Sequence, residues 1–195
     1  MSQESSALFW LILNLATDPR TAVLIALLVI AAVIDYRSHR IPNWLTLDGI
    51  LFALVYRTLQ ERTIASGFID SFGGMLTGFG LMLPLYLFKA MGAGDVKLMA
   101  MVGAFLGIHA TPYAVLYTFI VGGVAALGFA IAKGALVRMV DNVRVVVQNM
   151  LVSASLGMKP DSNLGAGRSI GRLPYGVSIA IGTIGFVVAR QLGFT

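Results

Sequence analysis

The sequence has no cysteine among its 195 residues, which removes disulfides, thiolate metal sites and a cysteine nucleophile together. Charge is scarce too: Asp, Glu, Lys and Arg make up 12% of the chain, against 57% hydrophobic residues. With a mean hydropathy of +0.85, this composition excludes an ordinary water-soluble domain and points to a polytopic membrane protein. No linker or low-complexity tract is present, because the 22 glycines and six prolines are scattered through apolar runs. No internal repeat is found either, so a single domain over residues 1–195 is expected. The net charge of +5 does not imply nucleic acid as a partner, since no basic face is interleaved with aromatics; membrane topology accounts for it.

Six apolar stretches are present: Thr21 to Ile34, Trp44 to Leu59, Phe68 to Phe88, Val96 to Ile108, Thr111 to Ala132 and Pro174 to Leu192. They predict an all-α bundle of about six transmembrane helices. The first and fourth are short for a span, so each must tilt little, extend into its flanks or lie among its neighbours. The earlier run "SSALFWLILNLA", from Ser5 to Ala16, resembles the apolar core of a signal peptide without a basic leader; Glu4 is the charge before it. At about a dozen residues it is expected to be interfacial or partly inserted, ending near Asp18-Pro19.

Orientation follows from the basic residues, which concentrate in cytoplasmic loops. With the amino terminus outside, Arg37, Arg40, Lys89, Lys97, Lys133, Arg138, Arg144, Lys159, Arg168 and Arg172 fall inside, and Arg20, Arg57, Arg62 and Arg190 outside. Ten against four favours this orientation, and it puts Asp35 and Asp95 at the same cytoplasmic level. The stretch "LVRMVDNVRVVVQNMLV", from Leu136 to Val152, predicts an interfacial helix drawn to anionic membrane lipid. The following "KPDSNLGAGRSIGR" predicts a mobile polar loop, and its GAGR lacks the strand and lysine of a phosphate loop.

A carboxylate at membrane depth costs about 2.5 to 3.5 kcal/mol on insertion scales, which makes a border aspartate a functional candidate. Asp35 precedes "YRSHRIPNW", and its structural alternative is a salt bridge to Arg37 or Arg40. Asp95 follows Gly92 and Gly94, which break the chain into a new helix that Asp95 can cap. A backbone opened by glycine also leaves room for a substrate strand beside the carboxylate. Two aspartates on different helices at one depth can converge. At about 3 Å they share a proton, so one acts as base toward water while the other donates to a peptide carbonyl.

Three blocks, "DYRSHRIPNW" (Asp35 to Trp44), "GAGDVKLMAMVGAFLG" (Gly92 to Gly107) and "RLPYGVSIAIGT" (Arg172 to Thr183), resemble in this order the signature blocks of the type IV prepilin peptidases. Within that family the chain is most similar to the small peptidase-only members serving Flp-type, tight-adherence pili. The resemblance implies a bacterial inner-membrane aspartic endopeptidase, without cofactor or metal, in which Asp35 and Asp95 are the catalytic pair. Its implied partner is a prepilin or pseudopilin, cut on the cytoplasmic side after a glycine. Larger family members carry a cysteine-rich insertion between the first two spans and often methylate the new amino terminus. Here eight residues separate Asp35 from Trp44 and cysteine is absent, so the zinc-binding element is missing and methylation falls to a separate enzyme or to none. Preflagellin peptidases and presenilin-type proteases share the Gly-x-Gly-Asp block; in presenilins a tyrosine precedes the other aspartate, whereas Tyr36 follows Asp35.

Other residues have expected places. Pro42 rigidifies the turn into the second span, Asn43 is a candidate cap, and by resemblance Asn43 helps frame the site. Lys97 is placed to act on Asp95 or to snorkel toward lipid phosphate. Pro174, Tyr175 and Gly176 begin the last span; by resemblance they pack near the site, with Tyr175 toward substrate. Asp48 lies about one turn past Asn43, a third acid near the same border, whereas Asp70 falls at the opposite end. His39 and His109 fall on opposite sides and cannot form a metal pair. The nine methionines read as core filling. A small proton-coupled transporter or a pilus-assembly scaffold subunit is the alternative, since paired aspartates and a broken helix suit proton movement as well.

Overall fold

A computed structural model of the chain describes residues 18–61, 63–87, 91–132, 134 and 174–193, together with 141, 144, 145, 147 and 148. Among the described residues there are six α-helices and no strands: α1 (Pro19–Ser38), α2 (Asn43–Gln60), α3 (Ile64–Leu87), α4 (Ala93–Leu106), α5 (Thr111–Ala132) and α6 (Tyr175–Gln191). The expected all-helical bundle is thus present. The amino-terminal apolar run and the loop from 159 to 172 lie outside the described residues, as does most of the stretch read as an interfacial helix.

Helix ends depart from the apolar runs where polar residues continue or open a helix. Pro19 starts α1, where its missing N–H would have had no partner anyway. The apolar run ends at Ile34, but α1 continues to Ser38. His39 stops it in the left-handed conformation, φ 50°, and donates its N–H to the Asp35 carbonyl at 2.8 Å. Asp35 therefore sits in the last turn of α1. Similarly, α4 begins ahead of its apolar run because the Asp95 carboxylate accepts the Gly92 N–H at 3.0 Å, closing the first turn.

In α4, 11 of 14 residues are buried, with Leu98, Met99, Met101, Val102 and Phe105 fully enclosed. It touches all five other helices. Those five close a ring around it in the order α1, α2, α3, α5, α6 and back to α1. The closest approach is between α3 and α4: a Cβ on Gly74 would overlap the Gly103 carbonyl, and one on Gly103 the Gly74 carbonyl. Small residues let two helix backbones meet in this way where lipid provides no hydrophobic drive between helices. Ser71 adds a buried bond across the same seam, donating its hydroxyl to the Ala104 carbonyl at 2.8 Å.

Three helices, α1, α3 and α5, are long and apolar enough to cross a membrane, and α6 is a shorter apolar helix. At about 1.5 Å per residue, the 14 residues of α4 run roughly 21 Å, short of the ~30 Å hydrocarbon core. A helix enclosed by five others meets protein rather than lipid, so it has no need of that length. Outward faces of the ring are apolar too, with Val29, Leu76, Phe79, Leu116, Ile120 and Val124 all exposed. A surface of that kind fits a lipid environment.

Candidate active site

Successive helices alternate in direction, which gathers the end of α1 and the starts of α2, α4 and α6 at one end of the bundle. Asp35 and Asp95 meet there, 5% and 8% exposed. The two carboxylates act on each other electrostatically, and Asp95 acts likewise on the Tyr175 hydroxyl. Tyr175 opens α6 and is half-buried.

A backbone N–H group holds each acid. Asp35 Oδ2 accepts the Gly176 N–H at 2.8 Å in a buried bond across 141 residues. Asp95 Oδ2 accepts the Gly92 N–H at 3.0 Å. Each donor lies at the start of a helix, where N–H groups have no partner within the helix and the dipole favours negative charge. Asp35 forms no ion pair among the described residues, and both Arg37 and Arg40 are exposed. The salt-bridge alternative for Asp35 therefore does not hold, whereas the capping role of Asp95 does.

Nearby residues take places the sequence did not disclose. Asn43 is the first residue of α2 and not its cap; Pro42 takes that position in extended conformation. The Asn43 side-chain oxygen instead accepts a bond from Lys97 Nζ at 2.9 Å, so Lys97 turns along the protein rather than outward to lipid. This bond ties the start of α2 to the first turn of α4. Of the two glycines beside Asp95, Gly92 is exposed, and a Cβ there would make ordinary contact with Asp95 Oδ2 at 3.4 Å. A Cβ at Gly94 would lie 3.2 Å from that of Ile41, so the turn before α2 already fills the room expected for a substrate strand. Ile41 was given no such role beforehand, and its signal was only the Ile-Pro turn.

Asp48 is exposed on α2. Asp70 belongs to the other end of the bundle: it pairs with Arg57 Nη2 at 2.6 Å and accepts the Ile108 N–H at 2.9 Å. Glu61 lies 3.9 Å from the same guanidinium, and Arg57 Nη1 donates to the Phe105 carbonyl at 3.5 Å. His39 follows α1 and His109 follows α4, at opposite ends. Among the described residues no group of three or more His, Asp or Glu side chains is placed to hold a metal ion. The chemistry on display is that of two enclosed carboxyl groups. With one proton between them they can activate a water and polarise a carbonyl at once.

Residues 22–127 match the type IV leader peptidase family. The prepilin leader peptidase/N-methyltransferase of Vibrio cholerae is 32% identical over 95 residues, covering 46% of this chain and 37% of that protein. The Neisseria gonorrhoeae protein of the same name is 30% identical over 122 residues, 57% of this chain and 41% of its own length. That of Dickeya chrysanthemi is 32% identical over 131 residues, 63% and 46%. The matched segments thus span less than half the length of these curated relatives. No solved structure matches the chain.

Proposed function

Because this chain belongs to the type IV leader peptidase family, we propose that it is a single-domain aspartic endopeptidase of the bacterial inner membrane that removes the basic leader of a type IV prepilin. Asp35 and Asp95 are the catalytic pair in this reading. One observation carries it: two carboxyls from different helices, both enclosed, lie within electrostatic reach at one end of the bundle. The substrate is a prepilin or pseudopilin of the Flp kind, cut on the cytoplasmic side after a glycine, and the block similarity stated above supports that choice. Methyl transfer, named for the curated relatives, is left out because the chain has no cysteine and only a short turn joins α1 to α2.

The chemistry is acid–base hydrolysis. The ionised carboxylate takes a proton from water as the water oxygen attacks the scissile carbonyl carbon, and the protonated partner donates to the carbonyl oxygen. A tetrahedral diol results. On collapse the C–N bond breaks, the diol returns a proton to the pair, and the leaving amine takes one from it. An apolar substrate helix would dock laterally with its leader in the cytoplasm. It must unwind at the cut, since a helical peptide bond is shielded by its own hydrogen bonds. Asn43, Gly92, Gly94, Lys97 and Tyr175 frame the site, with Gly92 on its exposed side.

The test is processing of a prepilin-like substrate in membranes at matched protein levels. Wild type and Asp48→Asn should cleave, whereas Asp35→Asn and Asp95→Asn should each lose about 10²–10⁴-fold or more. Cleavage by both Asn variants, or none by wild type, would end the peptidase reading and return proton-coupled transport to first place.

A further inference from the structure

We propose that Gly176 is a positioning residue of the active site, whose N–H fixes one oxygen of Asp35 and whose lack of a side chain is what allows α6 to approach that carboxylate. This rests on the reading of Asp35 as one of the catalytic pair.

Two independent features of the geometry lead to Gly176. Its N–H is the donor to Asp35 Oδ2 at 2.8 Å, and it is the second residue of α6, where an N–H has no acceptor inside the helix. The second feature is space. A Cβ built on Gly176 would lie 2.9 Å from Asp35 Oδ2 and 3.0 Å from both Cβ and Cγ of Asp35. Ordinary contact begins near 3.5 Å. Asp35 cannot retreat, because its own Cβ is fixed by α1 and the residue is enclosed. Backbone torsion gives no competing reason for glycine, since Gly176 is not among the residues with positive φ. An alanine would fit the backbone and fail only for want of room.

The consequence for the chemistry is directional. With Oδ2 of Asp35 held by Gly176 and Oδ2 of Asp95 held by Gly92, each carboxyl keeps one oxygen for proton and water. Pinned this way, the acids are preorganised before substrate arrives. A side chain at 176 pushes Asp35 by a fraction of an ångström to an ångström, and misplacements of about 1 Å cost on the order of 10²-fold in rate.

The experiment measures kcat and KM separately for leader cleavage by the full chain in membranes. Gly176→Ala adds a Cβ and keeps the N–H. Glycolic acid incorporated in place of Gly176 removes the N–H and adds nothing. Gly123→Ala, in α5, where a Cβ would meet nothing within 4 Å, is the control and should match wild type. Gly176→Ala is expected to lose about 100-fold in kcat with KM within about twofold. The ester should lose roughly 10- to 100-fold, again in kcat, as befits a lost bond to a charged group. Where Gly176→Ala fails to fold, the ester decides, because it adds no bulk. Undiminished kcat in the ester overturns the proposal, and so does a rise in KM alone, which would make Gly176 a substrate contact. If wild type itself cleaves nothing, the peptidase reading fails and this inference falls with it; wild-type cleavage beside an unaffected ester refutes Gly176 alone.

Discussion

Asp35 and Asp95 are buried acids that form no ion pair among the described residues, and each accepts one glycine N–H. Were both ionised, their mutual repulsion in a poorly solvated site would be large, so the pair is best served by holding one proton. The two groups then titrate in coupled macroscopic steps rather than one by one. The sign follows from the chemistry. At low pH both are protonated and no base remains; at high pH both are ionised and no acid remains. Leader cleavage should therefore trace a bell against pH, falling on either side of the singly protonated form, when kcat/KM is measured in membranes across a pH series. A rate that rises to a flat plateau would show that one group titrates alone.

Of the helices, α4 matters most, because it carries Asp95 at one end and is bolted down at the other. Arg57 of α2 and Asp70 of α3 converge on its last turn through the Ile108 N–H and the Phe105 carbonyl. Gly107 follows at φ 87° and ψ 174°, an extended positive-φ conformation that glycine adopts without steric cost. Removing Asp70 leaves the Arg57 guanidinium, 11% exposed, with only the more distant Glu61 at 3.9 Å and the Ile108 N–H without its acceptor. A fully buried pair broken this way costs 3–5 kcal/mol. Because Asp70 is 31% exposed, about 2–3 kcal/mol is expected for Asp70→Ala. Thermal unfolding in detergent should show a lowered midpoint for Asp70→Ala, and none of comparable size for Asp48→Ala on the exposed face of α2.

For the molecule as a whole, an enclosed helix inside a ring of five explains why a short, glycine-flanked segment can sit in a membrane protein at all. Ring closure also brings α6 back against α1, and this places Gly176 beside Asp35. The absence of native cysteine offers a clean test of the proposed orientation. Single cysteines at Ser38 and His109 report on opposite ends of the bundle. A membrane-impermeant maleimide applied to intact cells should label His109→Cys and leave Ser38→Cys unmodified, with the pattern reversed in inverted vesicles. Labelling of Ser38→Cys in intact cells would put the paired acids on the outer side.

Much of this was legible in order along the chain. Six helices were visible because apolar runs are strong local signals, and the two acids stood out because carboxylates are rare in such runs. Helix ends were less visible. Asp-Tyr-Arg-Ser after Ile34 is polar, yet the α1 hydrogen bonds run through it until His39 turns left-handed. Hydropathy registers an apolar stretch without telling lipid from protein as its neighbour, so it could not single out α4 as the enclosed helix. Only packing makes that distinction, and it assigns α4 to the centre.

Composition and motif order were enough for the helical membrane class, the family and the choice of Asp35 and Asp95 as candidates, because each rests on local residue types or on short spacing. The folded molecule alone decided that Gly176 reaches Asp35, that Lys97 bonds Asn43, that Ile41 fills the space beside Gly94, and that Arg57 and Asp70 clamp the end of α4. These contacts join residues 141, 54 and 38 positions apart in the bonded cases of Gly176, Lys97 and Ile108. No local preference encodes such a meeting. It follows from the closing of the ring, which sets the depth and facing of every helix at once.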